Sequence, residues 1–317
     1  MKTMISAAIL LSLSLTVVGQ NDSLLVMFWN LENFFDYTDD GTGESDREFS
    51  SSGSRRWTAR KFYAKCDAVA KSFMWIGDRY GRMPDVVGVA EVENRKVLTR
   101  MLNSTLLRKC DYGVVHFDSP DRRGIDVALI YRKSVLSFVS ASRRVPVHEG
   151  EPLATRDILH VCLQDHMGRN INLIVNHHPS KFGGEARSKG RRESAMRTLK
   201  ELCDSLASGT DRILAMGDFN DTPDGSQFSM LDGLLINMGI PLHEDGQGSI
   251  RHEGRWQLID FFLASPDLRV SPMEVVRIPF LMTYDRKHPG DKPLRTYLGP
   301  RYQGGVSDHC PIILKLY

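Results

Sequence analysis

Cysteine is scarce in this 317-residue chain: the five thiols Cys66, Cys110, Cys162, Cys203 and Cys310 are an odd number with no CxxC or CxxxxC pair. That excludes a disulfide-built scaffold and a zinc ribbon. Neither sign of charge dominates, since 41 Lys and Arg against 39 Asp and Glu give a formal +2. A strongly basic nucleic-acid coat and an acidic tail are therefore excluded, and any anion binding must come from local patches. Past the first residues no apolar run is long enough to cross a bilayer, no internal repeat recurs, and no low-complexity tract or Pro/Ser linker divides the chain. What is present, 41% hydrophobic and 25% charged residues, is the composition of a globular protein able to bury a core.

The N-terminus reads as a segment outside that core. Lys2 supplies a short positive region, Ile5 to Val18 an apolar stretch, and Val17-Val18-Gly19 a cut near Gln20. A membrane anchor needs roughly 20 apolar residues. This run is shorter and is broken by Ser12, Ser14 and Thr16. The sequence predicts a signal peptide over residues 1–19, one domain over 20–317, and an exported protein, periplasmic or secreted. It predicts no stable membrane anchor and no protein partner, hence a monomer.

Short apolar runs alternate with amphipathic segments, the pattern of mixed strands and helices packed in layers. Buried strands are expected from Leu24 to Trp29, Val86 to Ala90, Ile171 to Val175, Ile213 to Met216 and Pro311 to Leu316. Others are expected at Tyr112 to Phe117, Ile125 to Tyr131, Val135 to Val139, Ile158 to Leu163 and Leu258 to Leu263. Thr58 is the expected N-cap of a helix whose Phe62, Cys66, Val69, Ala70, Phe73 and Ile76 recur at three- and four-residue steps, and a second helix runs from Asn94 through Leu107. Many strands and few helices favour an α/β sandwich. Asp39 to Arg56 and Arg286 to Gly305 read as loops able to border a site.

Polar groups collect just past the ends of the apolar runs, where open α/β sheets place their ligands. Trp29-Asn30-Leu31-Glu32-Asn33 follows the first strand, Glu91 follows Val89-Ala90, and Asn176-His177-His178 follows Ile171 to Val175. Gly217-Asp218-Phe219-Asn220 follows Ile213 to Met216, and Ser307-Asp308-His309 precedes the last strand. Each alone is explained by a turn, a cap or a structural histidine. Together they are not, because independent turns need not all carry metal-ligand or proton-transfer groups. Glu32, Glu91, Asp218 and Asp308 gathered in a partly dry cleft would repel one another unless a cation offset them. Oxygen donors without thiolates favour Mg²⁺, Mn²⁺ or Ca²⁺ over zinc. Such an ion keeps positions open for substrate oxygens, and phosphate is its natural partner. His177 and the amides of Asn30 and Asn220 would meet the developing charge, and His309 would handle a proton, with Asp260 the best candidate to orient it.

Taken in order, Trp-Asn-Leu-Glu-Asn (29–33), Ala-Glu-Val-Glu-Asn (90–94), Arg-Gly-Ile-Asp-Val-Ala-Leu-Ile-Tyr-Arg (123–132), Asn-His-His (176–178), Gly-Asp-Phe-Asn-Asp-Thr-Pro (217–223), Ile-Asp-Phe-Phe-Leu (259–263) and Ser-Asp-His-Cys-Pro-Ile (307–312) resemble the endonuclease/exonuclease/phosphatase superfamily across nearly all of the chain past the signal. The resemblance implies a four-layer α/β sandwich that hydrolyses phosphoester bonds with Mg²⁺ or Mn²⁺, Ca²⁺ being an alternative. It implies metal ligation by Asn30 and Glu91, with help from Asp308 and from Glu32, which stands where some relatives carry Asp. Asp218 and Asn220 would position the attacking water and the phosphate. His309 would be base or phosphate ligand, oriented by Asp260. His177, with His178 the alternative, would contact the phosphate and assist the leaving group.

Such families span several substrates, so the binding residues must decide. Residues 180–197 carry six basic and two acidic side chains directly after His177. This suits a phosphate backbone, with Lys181 nearest the site, while a solvated helix face is the plainer reading of Arg191 to Arg197. Arg295, Arg301 and Tyr302 form a second candidate rim, Tyr302 either stacking on a base or packing. A lipid phosphodiesterase would need an exposed apolar loop, for which Ile278 to Met282 is the only candidate. The expectation is a nuclease or phosphodiesterase on nucleic acid, with a small-molecule or lipid phosphoesterase as the alternative. A silent binding protein would have lost an acidic motif, and none is lost.

Overall fold

A computed structural model describes residues 23–41, 43–181, 184–207 and 212–317, so the expected signal segment lies outside it. In chain order the main elements are β1 (Leu24–Phe34), α1 (Ala59–Tyr80), β2 (Val86–Val92), α2 (Arg95–Ser104), β3 (Tyr112–His116), β4 (Asp126–Arg132), β5 (Ser137–Arg144), β6 (Ile158–Gln164), β7 (Asn170–His177), α3 (Glu185–Leu206), β8 (Arg212–Asp218), β9 (Ile236–Asn237), β10 (Asp260–Ala264), β11 (Glu274–Val275) and β12 (Ile312–Leu316). One six-stranded sheet has the order β11-β12-β1-β2-β4-β3 and the other β9-β10-β8-β7-β6-β5. Each has a parallel pair at its centre, β1 with β2 and β7 with β8.

The central strands are apolar on both faces because both are covered. Along β1, Leu24, Val26 and Phe28 enter the cluster shared with the second sheet, while Leu25, Met27 and Trp29 enter the cluster beneath α1 and α2. α1 presents its expected stripe of Phe62, Cys66, Val69, Phe73 and Ile76 to that second cluster and stops at Gly81, in the left-handed region at φ 72°. Thr58 occupies its N-cap position without a side-chain cap bond. Asn94 does cap α2, accepting from the Val97 N–H at 3.0 Å. On the far side α3 joins the second sheet through Met196, Leu199, Leu202 and Cys203. The layers are therefore helix, sheet, sheet, helix, the four-layer sandwich expected.

The basic run after His177 is largely α3. Arg192 is wholly buried and pairs with Asp221 at 3.3 Å, so it is neither on a solvated face nor open to a substrate. The loop Asp39 to Arg56 buries Phe49, which stacks on Phe35 at 5.1 Å. Ile278 and Leu281 are core residues, and Tyr302 packs against Tyr297 and Trp57, so neither segment offers an exposed apolar surface or a free ring. All five cysteines are free. Among the described residues no helix is long and apolar enough to cross a membrane.

Candidate active site

Parallel pairing brings the C-terminal ends of β1 and β2 to one edge of the first sheet, and those of β7 and β8 to the same end of the second. The strands do not simply stop there. β1 and β2 both lose regular register, between Asn30 and Phe34 and between Ala90 and Val92. Glu32 (φ 45°), Asn33 (50°), Glu91 (57°) and Asn220 (51°) all adopt the left-handed region that L-residues avoid. Strain gathered at one end of a sheet pair marks a place where side chains are aimed rather than merely packed.

Three contacts cross between the sheets. Asn30 Nδ2 donates to Asp218 Oδ2 at 3.0 Å. His309, in the segment before β12, holds Asp260 Oδ2 through Nδ1 at 2.7 Å, and its Nε2 lies 3.8 Å from Asp218 Oδ2. His177 Nε2 lies 3.6 Å from Asp218 Oδ2 and 3.9 Å from Glu91 Oε1. His177 and not His178 therefore faces the acidic groups; His178 turns its ring edge against Phe219 at 5.1 Å. Asn220 is fixed by two bonds, its N–H to Asp218 Oδ1 and its Nδ2 to the His178 carbonyl, both 2.9 Å. Gly217 lets β7 and β8 approach this closely, since a Cβ there would sit 2.4 Å from the Asn176 carbonyl oxygen.

Burial and charge set the protonation. Burial alone would lower the His309 imidazole, but Asp260, Asp218 and Asp308 override it and hold the ring protonated well above the ordinary histidine range. His177 has the opposite fate: burial, then Arg156 and Arg123, keeps it neutral. Its Nδ1 is a buried atom without a hydrogen-bond partner, as is Asp260 Oδ1. Burial, then Asp260, raises Asp218 despite His309. Burial would raise Glu91 too, yet Arg123, His309 and the Asn33 N–H hold it ionised below the usual carboxylate range.

Among the described residues, Asp218, Asp260 and His309 are the group at this mouth whose possible ligand atoms lie close together; Asn30, whose Oδ1 accepts from the Glu32 N–H at 2.9 Å, Glu91 and Asp308 carry further oxygens of the kind a hard divalent cation would take. Glu91 Oε2 accepts from the Asn33 N–H at 2.9 Å and lies 3.3 Å from Arg123, leaving Oε1 toward His177. Half-exposed Asp308 pairs with Arg295 at 3.0 Å. Glu32 differs: Oε1 is held by Arg295 at 2.9 Å and Oε2 by the Thr296 N–H at 3.0 Å, so both oxygens are already engaged. Lys181 pairs with Asp221, the neighbour of Asn220 in sequence, at 3.0 Å. Arg301 is exposed on the hairpin Tyr297–Tyr302 and is not drawn into the cluster.

Two residues that composition and motifs did not single out support the site. Lys65 of α1 is buried, donating to the Glu32 carbonyl at 2.6 Å and to Thr296 Oγ1 at 2.8 Å, which clamps the strained end of β1 against the loop that holds Arg295. Its signal was a lysine three residues after Phe62 and four before Val69, on the helix's apolar stripe. Ser249 donates to Asp260 Oδ2, the oxygen His309 also uses. Nothing in the sequence pattern marked it.

The sequence model of the endonuclease/exonuclease/phosphatase family matches residues 25–317. The chain belongs to that family. Among solved structures, an endonuclease/exonuclease/phosphatase family protein from Bacteroides thetaiotaomicron is 15% identical at TM-score 0.60, covering 93% of this chain and 97% of that one. The mannosyl-6-phosphatase of Bacteroides thetaiotaomicron VPI-5482 is 15% identical at TM-score 0.58, covering 93% and 99%. D. rerio TDP2 complexed with a single-strand DNA product is 14% identical at TM-score 0.56, covering 94% and 100%. At such identities the likeness is one of fold. No curated protein matches the chain.

Proposed function

We propose that the chain is an exported phosphodiesterase that hydrolyses nucleic acid by in-line attack of water on phosphorus, with Mg²⁺ or Mn²⁺, Ca²⁺ being the alternative. The observation that carries this reading is the convergence at one mouth, from both sheets, of His309 bound to Asp260, Asp218 bound by Asn30 and Asn220, His177 and Glu91. In this reading Asn30, Glu91 and Asp308 hold the ion, with Glu32 backing Asp308 through Arg295. When bound, the ion polarises the phosphoryl oxygens and offsets the acidic cluster. Asp218, fixed by Asn30 and Asn220, orients the water and receives its proton. His309, locked by Asp260, donates from Nε2 to a phosphoryl oxygen, Asn220 adds an amide donor, and His177 stands at the leaving-group side. Asp260 is a positioning residue. Lys181, Arg295 and the exposed Arg301 are the basic side chains offered to the strand.

A strand substrate is supported by the fold shared with a DNA-bound TDP2. The equal likeness to a mannosyl-6-phosphatase favours a small phosphoester as the second reading. The burial of Ile278 and Leu281 speaks against a lipid surface. Purified protein should be assayed with each metal, and with chelator, against plasmid DNA, RNA, an inositol phosphate, sphingomyelin and bis(p-nitrophenyl) phosphate. Cleavage of DNA or RNA is expected; turnover confined to the inositol phosphate or sphingomyelin would replace the substrate. For export, mass spectrometry of the protein from its native host should find an N-terminus near Gln20, and an intact Met1 would overturn it.

A further inference from the structure

Beside the His177 end of β7 lies a cleft of about 760 Å³ that the chemistry above leaves without a role. Its walls come from the loop joining β3 to β4, from the segment ahead of β6, from Pro179 and Ser180, and from Arg191 of α3. It opens on the site, because two of its arginines already belong to the rim. Arg123 reaches Glu91 at 3.3 Å, and Arg156 donates to the His178 carbonyl at 2.6 Å while pairing with Asp121 at 3.1 Å.

Two further arginines of the cleft are not committed. Among the described residues, Arg122 and Arg191 make no side-chain hydrogen bond or ion pair, although Glu44 and Glu151 line the same space. An unpaired guanidinium is a planar fork of donors that matches the paired oxygens of a phosphate or a carboxylate, and beside a phosphoester site phosphate is the anion at hand. The cleft also holds Thr155, 2% exposed, whose hydroxyl has no partner, and the Arg156 Nε is likewise unpaired. A buried polar group left unpaired costs about 1–3 kcal/mol. A ligand oxygen entering the cleft would relieve that cost. The two glutamates keep the local charge near balance, which suits one phosphate rather than a general sink for polyanions.

We propose that this cleft binds a second phosphate of the substrate, adjacent to the one that is cleaved. The inference rests on the site being a phosphoester hydrolase, and it narrows the substrate class to compounds with two neighbouring phosphates. A strand of nucleic acid supplies such a pair, and so does a small bisphosphate.

The test compares native protein with Arg122→Gln/Arg191→Gln on a tetranucleotide, a hexose bisphosphate and bis(p-nitrophenyl) phosphate, which has a single phosphate. The double variant is expected to raise KM for the tetranucleotide ~10-fold or more, and to flatten the log–log salt dependence of kcat/KM by about one per arginine. With the single-phosphate ester, kcat/KM should change less than ~2-fold, since neither side chain would then meet a phosphate. An effect on the tetranucleotide alone identifies a strand, and one shared by the bisphosphate identifies any neighbouring phosphate. Unchanged KM and slope for both would overturn the proposal, as would an equal loss on all three substrates. If native protein turned over none of them, the hydrolase reading would fail instead. Calorimetric titration of a phosphorothioate tetranucleotide would then decide the cleft: weaker binding by the double variant upholds it, and equal or absent binding sinks it.

Discussion

His309→Ala is expected to lower turnover by ~10²-fold or more, the scale of a positioned proton-transfer or charge-stabilising group, while the protein stays folded. Asp260→Asn should cause a loss of the same order, because the 2.7 Å bond from His309 Nδ1 fixes the ring and holds its charge. The decisive measurement is the double variant. Groups that act as one unit lose little more together than apart, so its kcat should fall near that of His309→Ala alone. Additive losses would break the pairing. If His309 only filled a core hydrogen bond, its replacement would lower the melting temperature while the remaining folded protein kept near-normal turnover.

Glu91→Gln carries the second large effect. The native carboxylate is only partly exposed, and Arg123, His309 and the Asn33 N–H hold it below the usual carboxylate range. A neutral amide removes the charge but keeps the shape. The metal concentration needed for half-maximal activity should rise by ~10–100-fold, with circular dichroism unchanged. Chelator should abolish native activity, and Mg²⁺ or Mn²⁺ should restore it. Full activity in excess chelator would remove the metal from the mechanism, and an unaltered metal requirement in Glu91→Gln would take Glu91 out of the ligand set.

Much of the scaffold was legible because its central strands are covered on both faces and so appear as unbroken apolar runs. Their ends were harder. Polarity begins after Trp29, but β1 continues to Phe34 through an irregular turn in which Glu32 and Asn33 take left-handed backbone. Polarity marks where a side chain wants solvent or a ligand, not where pairing ends. α3 was read as a basic tract because charge masks its apolar stripe, and Arg192 looks solvated in sequence while it is buried on Asp221. The resemblance already put His177 ahead of His178, and the register agrees: His177 ends its strand facing Glu91 and Asp218, while His178 packs on Phe219. The clamp by Lys65 was invisible for a different reason. Its partners are the Glu32 carbonyl and Thr296, 231 residues away in sequence, so no local pattern could join them.

The contacts from Asn30 to Asp218, from His309 to Asp260 and from His177 to Glu91 all span the seam between the two sheets. Neither half of the sandwich carries a complete set of reacting groups. In the mechanism proposed above, catalysis is a property of the alignment of two slabs, and a small sliding of one over the other would separate the proposed base, donor and metal ligands without breaking a single strand ladder. The apolar seam beneath the mouth, where Phe28 and Met216 meet over Gly88, thereby acts as the gauge block that sets the spacing of the chemistry above it.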